Sequence, residues 1–250
     1  MYNFFIKDQD INEKKAIITQ DYNHIVNVLR MNLNDKIYVC NKKTGESYLA
    51  KISEITKTQV ICEIINKNNS TESNIDITIF QGLPKSDKME TIIQKSTELG
   101  ANTFVPVSMK YCISKLKDNK KIERWQKIAE VAAKQSKRNI IPKVENLITI
   151  KELSNIIKDY NLVLIAYENE KKTNIKQILQ ENKNINKIAL IIGPEGGIAT
   201  EEVKILEENG AKSVGLGKRI LRTETAPITM VSMQPKRSVV TSQKQMRTVT

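Results

Sequence analysis

The sequence predicts an α/β protein: a parallel sheet covered by helices on both faces, preceded by a small β-barrel. Three observations lead there. The first seventy residues are short runs rich in β-branched and aromatic side chains, the signature of small all-β units. From Ile75 onward such runs alternate with helical periods, and that alternation builds parallel sheets through right-handed crossovers. Between them, "NKNNSTESN" (Asn66–Asn74) is polar and patternless, which sets a boundary: residues 1–70 as the barrel and 71–250 as the α/β domain.

In the first part, Phe4–Ile6, Lys15–Thr19, Asp35–Cys40, Ser47–Ile55 and Thr58–Ile65 are the expected strands, with a turn at Lys42–Glu46. Asp21–Arg30 is the one expected helix, with Ile25, Val28 and Leu29 on its inward face. A small barrel carrying one helix fits this order.

In the second part, Ile75–Phe80, Thr103–Val107, Leu162–Tyr167, Lys187–Gly193 and Ser213–Leu216 are the expected strands. The helix from Asp87 puts Met89, Ile92, Ile93, Ser96 and Leu99 on one face. Asp87 and Glu90 are expected to pair at its start, and Gly100 to close it. Lys120–Arg138 is a longer helix with Ile122, Trp125, Ile128 and Ala132 inward. Further helices are expected over Asn174–Asn182, Glu201–Gly210 and Glu224–Met233.

Composition narrows the function. Forty Lys and Arg face 28 Asp and Glu, a formal charge of +12, which favours a polyanionic partner, nucleic acid first. Three widely spaced cysteines without a C-x-x-C, and a single histidine, His24, support neither a disulfide framework nor a metal site. The cysteines read as small buried residues and His24 as part of the barrel's packing. The longest apolar run, Leu162–Tyr167, is far short of a membrane span, and no signal segment is visible. A cytoplasmic protein without a membrane partner is expected.

Two loops carry the chemistry. "IIGPEGGIAT" (Ile191–Thr200) leaves a strand and opens a helix. In open parallel sheets ligands bind at the carboxyl ends of strands, and glycines there let the backbone approach them closely. Neither G-x-G-x-x-G nor a Walker loop is present. "VGLGKRILRTETA" (Val214–Ala226) makes the same strand-to-helix transition. Its Ile220–Leu221 pair is expected to cover an apolar ligand surface or another chain, and Arg222 offers a fork of donors for a phosphate or a base edge. Tyr167 and Glu168, at a third strand end, complete the expected pocket.

With "LPKSDKMETIIQKSTELG" (Leu83–Gly100) and "KRNIIP" (Lys137–Pro142), these motifs resemble the small-subunit ribosomal RNA uridine N3-methyltransferases, a family of the SPOUT superfamily of trefoil-knotted methyltransferases. The resemblance runs from about Phe4 to Met233. It implies a PUA-like N-terminal barrel for RNA, a SPOUT-type α/β domain with a deep knot, S-adenosylmethionine as cofactor, no metal, and a homodimer acting on small-subunit ribosomal RNA or the 30S particle. Carried over to this sequence, the cofactor would be surrounded by Tyr167, Glu168, Ile192, Gly193, Pro194, Glu195, Gly196, Gly197, Leu216, Gly217, Ile220, Leu221 and Thr225.

Methyl transfer to uracil N3 needs that nitrogen to lose its proton as it attacks. Arg222 is the expected stabiliser of the developing anion. Glu224 is expected either to accept the proton or to orient Arg222. Arg30, Lys85, Lys88, Lys95, Gln135, Lys137, Arg138 and Arg219 are the expected RNA contacts, which give affinity without reading sequence. A binding protein of the same fold without catalysis, or a methyltransferase acting on transfer or large-subunit RNA, are the alternatives. Two departures from the family pattern stand out. Asn3 precedes Phe4–Phe5 where the family usually has a basic residue. Pro235 and the basic segment after it replace the expected continuation of the last helix, since proline stops a helix.

Overall fold

A computed structural model describes residues 1–116, 118–171, 173, 175–182 and 185–233. The atypical segment 235–250 lies outside the described residues.

The N-terminal part is a five-stranded sheet of β1 (Asn3–Ile6), β2 (Lys15–Ile18), β3 (Lys36–Asn41), β4 (Ser47–Ile55) and β5 (Val60–Lys67), ordered β1-β3-β4-β5-β2. Register shifts between β4 and β5 bend the sheet around a core of Phe4, Ile6, Ile25, Ile37, Val39 and Ile52. β1 and β2 stand at the two edges, so the sheet is curled, PUA-like, and not a hydrogen-bonded closed barrel.

The expected helix over Asp21–Arg30 is present but shorter: after an α-type bond from Ile25 N to Asp21 O at 2.9 Å it winds as a π-turn over His24–Val28. Its bond runs from Leu29 N to His24 O at 2.8 Å, five residues back. That wider turn keeps Ile25 and Leu29 against the core but swings Val28 out, where it is 66% exposed; an α-helical period does not apply to it. His24 meets Phe4 edge-on at 6.5 Å.

The second sheet is wholly parallel. It contains β6 (Asp76–Gly82), β7 (Thr103–Ser108), β8 (Lys143–Val144), β9 (Ile148–Thr149), β10 (Leu162–Ala166), β11 (Lys187–Ile192) and β12 (Lys212–Val214). The order is β12-β10-β11-β6-β7-β8, with β9 also on β7. Its strands are apolar on both faces because both are covered. On one side Ile79, Leu164 and Leu190 meet α1 (Lys88–Leu99), α2 (Lys120–Gln135), α4 (Ile175–Glu181) and α6 (Thr225–Met233), through Met89, Ile93, Trp125, Ile178 and Met230. On the other, Phe80, Ile165 and Ile191 meet α3 (Ile150–Ile156) and α5 (Thr200–Glu208), through Leu153, Val203 and Leu206.

The two ends of α1 are fixed differently. Gly100 closes it in the left-handed region at φ +108°, as expected. Asp87 makes no side-chain cap; Glu90 instead pairs with Arg124 of α2 at 2.9 Å, so the expected capping pair is replaced by a tie between helices. The helix α3 was not assigned from the sequence, although Thr149 and Glu152 form a capping box there, a readable start signal.

The two sheets meet at a polar joint. Arg138, 6% exposed, pairs with Glu72 at 2.6 Å and donates to the Thr97 carbonyl at 3.2 Å and to that of Ala101. Glu72 also accepts from the backbone of Asn139 at 2.8 Å. Asn3 donates to the Arg138 carbonyl at 3.0 Å, and Cys40 to that of Asn139 at 2.9 Å. Burial, helped by the Glu72 charge, pushes the Cys40 thiol up to about 12, so it remains a protonated donor. Cys40 and Cys62 are buried as expected; Cys112 is only half-buried.

Candidate functional site

The carboxyl ends of β12, β10, β11 and β6 lie side by side, which brings the three expected loops together. The Tyr167 backbone donates to Val214 at 3.1 Å and Gly215 to Thr173 at 3.0 Å, joining the loops after β10 and β12. Gly197 takes φ +75°, and a side chain on it would meet the Glu168 carboxylate at 3.2 Å, which joins the loops after β10 and β11. A Cβ on Gly193 would lie 2.8 Å from the backbone of Gly197. The glycines therefore permit a tight backbone turn that no other residue would fit.

The strongest tie joins the loops after β11 and β12. The Thr223 hydroxyl donates to the Gly193 carbonyl at 2.7 Å. Gln81, fully buried at the end of β6, donates its amide to the same carbonyl at 3.1 Å and to Thr223 Oγ1 at 3.0 Å. Its Oε1 is buried without a partner among the described residues. Gln81 and Thr223 were not read as site residues from the sequence. An amide side chain inside the otherwise mostly apolar run Ile77–Leu83 is the available signal.

Leu216 and Leu221 are half-buried and lean on the protein's own core, while Ile220 is 82% exposed. Of the pair expected to cover a ligand or another chain, Ile220 is the more open. Arg222 and Thr225 are exposed, and Thr225 N closes a turn on the Arg222 carbonyl at 2.9 Å. Ile192 is buried in the strand, Gly217 is exposed at φ +124°, and Pro194 packs against Gly82.

Electrostatics centre on Lys88. Its ammonium lies 2.9 Å from Glu195 Oε1 and 3.4 Å from Glu224 Oε2. Glu195 also accepts from the Lys85 backbone at 3.1 Å. Its burial alone would raise it, but the Lys88 hydrogen bond and the backbone donors outweigh that and hold it below the usual carboxylate value. Chiefly through its bond to Glu195, Lys88 is raised above its ordinary value. Glu224 thus faces Lys88; no contact to Arg222 exists among the described residues.

The expected RNA residues divide into two groups. Lys88 is held by two carboxylates, Lys95 by Glu98 at 3.0 Å, and Arg138 is locked in the buried joint. Those engagements satisfy the charges within the protein, and for Arg138 they correct the expectation: its guanidinium does not reach solvent. Arg30, Lys85, Gln135, Lys137 and Arg219 are exposed.

The arrangement fits the group the resemblance implies. A glycine-lined backbone crevice, the Glu168 carboxylate beside it, the half-buried Tyr167 and Leu216, and the orphaned Gln81 oxygen offer polar and apolar surface to an adenosyl amino acid. Among the described residues no group of three or more His, Cys, Asp or Glu could hold a metal ion, and no helix is long and apolar enough to cross a membrane.

Comparison with known proteins agrees with this geometry. Residues 71–234 match a family model of the RNA methyltransferase domain, and residues 10–65 one of the RNA methyltransferase PUA domain. A Bacillus subtilis ribosomal RNA small subunit methyltransferase E is 38% identical, covering 93% of this chain and 95% of that relative. The crystal structure of a ribosomal RNA small subunit methyltransferase E from Neisseria gonorrhoeae bound to S-adenosyl methionine superposes with a TM-score of 0.80 at 30% identity, covering 93% of this chain and 95% of that one. A Legionella pneumophila methyltransferase structure, in complex with the bound cofactor, gives 0.79 at 29% identity, over 92% and 95%. The chain, glycine crevice, tied loops and all, belongs to the ribosomal RNA small subunit methyltransferase E family.

Proposed function

We propose that this protein methylates N3 of a uridine in 16S ribosomal RNA with S-adenosylmethionine, as a cytoplasmic homodimer. The observation that carries the reading is the Gly193–Thr223–Gln81 knot of hydrogen bonds, which makes two distant loops into one crevice. It is joined by the similarity to relatives named for that RNA. Residues 1–70 form the RNA-holding domain and 71–250 the catalytic one.

Tyr167, Glu168, Ile192 to Gly197, Leu216, Gly217, Ile220, Leu221 and Thr225 surround the cofactor, which supplies an electrophilic methyl. Arg222, exposed and unpaired among the described residues, donates to a uracil carbonyl and favours loss of the N3 proton. Glu224 accepts that proton; its contact with Lys88 and not Arg222 favours this role over orienting the arginine. As the N3–methyl bond forms, the sulfonium bond breaks and its electron pair stays on sulfur. The target base must leave its stack to expose N3. Arg30, Lys85, Gln135, Lys137 and Arg219 hold the RNA backbone. The segment 215–224 passes from β12, at the sheet edge, back to α6, which packs beside α1 and β11; this return supports a threaded, knotted crossing. The exposed Ile220 supports a subunit contact.

The test is methyl transfer from labelled S-adenosylmethionine to 16S RNA and to 30S particles from cells lacking the protein, with nucleoside mass mapping. A single N3-methyluridine is expected. A folded, cofactor-binding sample that methylates neither substrate would favour a binding protein of the same fold, and product on transfer or large-subunit RNA alone would reassign the substrate.

A further inference from the structure

A second concavity lies on the outer side of the Gly193–Gly197 loop. It measures about 590 Å³ and is lined by Lys85, Lys110, Tyr111, Ile113, Glu195 and Gly196. Of these six, only Glu195 and Gly196 belong to the proposed cofactor crevice. Tyr111 is 45% and Ile113 72% exposed, so an aromatic and an aliphatic side chain stand open beside the reaction centre. Such apolar exposure at a site rim marks a surface that something covers.

The wall is built to hold still. Lys110 N donates to Glu202 at 2.8 Å, and Cys112 N to the Met109 carbonyl at 3.0 Å, which fixes the turn that carries Tyr111. Gly196 packs so closely that a Cβ there would sit 3.0 Å from Tyr111 Cβ. Lys110 Nζ stands 5.8 Å from the ring centroid, and its charge is met by Glu201. The backbone of Lys85 is pinned by Glu195, leaving its exposed ammonium at the mouth. Glu195 would repel an anion, but Lys88 already neutralises it at 2.9 Å. The one cation left unpaired here, among the described residues, is Lys85.

We propose that this cleft is a subsite for an unpaired nucleotide neighbouring the target uridine, its base stacked on Tyr111 against Ile113 and its phosphate met by Lys85. A rigid aromatic beside one free cation is how single-stranded nucleic acid is held without reading its sequence, and the volume falls in the range of small-molecule sites, about 300–1,000 Å³. A target base pulled from its stack leaves its neighbour unstacked as well, and Tyr111 replaces that lost partner. The inference rests on the reading of the chain as an RNA methyltransferase.

The test uses the full-length protein, a fluorescein-labelled oligouridylate read by anisotropy, and calorimetry with S-adenosylmethionine. Tyr111→Ala is expected to weaken oligouridylate binding about tenfold, within what base stacking supplies, while Tyr111→Phe stays near wild type. Lys85→Ala is expected to lower the slope of log affinity against log salt by about one phosphate contact. All three variants are expected to bind the cofactor as wild type does, which also reports that they fold. Unchanged oligouridylate affinity in Tyr111→Ala overturns the proposal, as does an equal loss in Tyr111→Phe. If the Tyr111 dependence holds but the wild type transfers no methyl to ribosomal RNA, the subsite stands and the enzymatic reading falls. If the wild type methylates and Tyr111→Ala binds and methylates equally well, the reverse holds.

Discussion

The Thr223 hydroxyl donates a hydrogen bond to the carbonyl of Gly193, thirty residues earlier in the chain, at 2.7 Å. The bond clamps the loop after β12 onto the loop after β11, and Gln81 braces both. Thr223→Val keeps the shape but removes this bond, leaving the carbonyl to the Gln81 amide alone. A lost hydrogen bond costs about 0.5–1.5 kcal/mol, so thermal denaturation is expected a few degrees lower. Cofactor affinity, read by calorimetry, is expected to fall with it; a variant with unchanged affinity would show that the clamp does not shape the crevice.

Gly193→Ala places a methyl 2.8 Å from the backbone of Gly197, where no side chain can yield. The loop must open, so cofactor binding is expected to be lost while the circular-dichroism spectrum is kept. Retained binding would mean the crevice tolerates a wider loop.

Arg222→Ala removes an exposed side chain from the rim without touching the core. It is expected to keep cofactor affinity and to lower single-turnover methyl transfer about 10²-fold or more, as for other donors aimed at developing charge. Arg222→Lys is expected to recover only part, because the bidentate fork is lost. An undiminished rate in Arg222→Ala would remove it from the reaction.

The Glu195–Lys88 pair sets a pH window. Glu195 is held below its ordinary 4.5, so its contribution is present above that value and disappears as pH falls through the lower, folded value. Lys88 is held above its ordinary 10.5, so its contribution is present below that and disappears as pH rises through the higher one. The melting-temperature difference between wild type and Lys88→Met is therefore expected to be largest near neutral pH and to shrink at both extremes. A flat difference would show that the pair adds nothing to the fold.

Much of the architecture was legible because long periodic segments leave little choice. The apolar runs at Leu162–Tyr167 and Lys187–Gly193 have no reading but buried strands, and Gly100 sits where a helix must stop. What escaped was local geometry. A π-turn breaks the period that placed Val28 inward, and Asp87 looked like a cap although Glu90 found a better partner in Arg124. Two of the loops were legible through their glycines and Arg222, and the one after β10 through Tyr167 and Glu168 at a strand end. Gln81 and Tyr111 were not, since their importance arises only when strands distant in sequence are brought side by side. Arg138 shows the opposite error: a basic residue in a basic segment, whose buried carboxylate partner lies 66 positions away and leaves no sequence trace.

That carboxylate, Glu72, sits on the short stretch leading from the curled sheet to the parallel one, and with Arg138, Asn139, Cys40 and Asn3 it welds the two halves into a single body. A molecule built this way is a caliper. On the proposed function, in which the curled sheet holds the RNA and the parallel one carries the chemistry, that span would set which nucleotide is reached, and loosening the weld would blur this choice before it slowed the reaction.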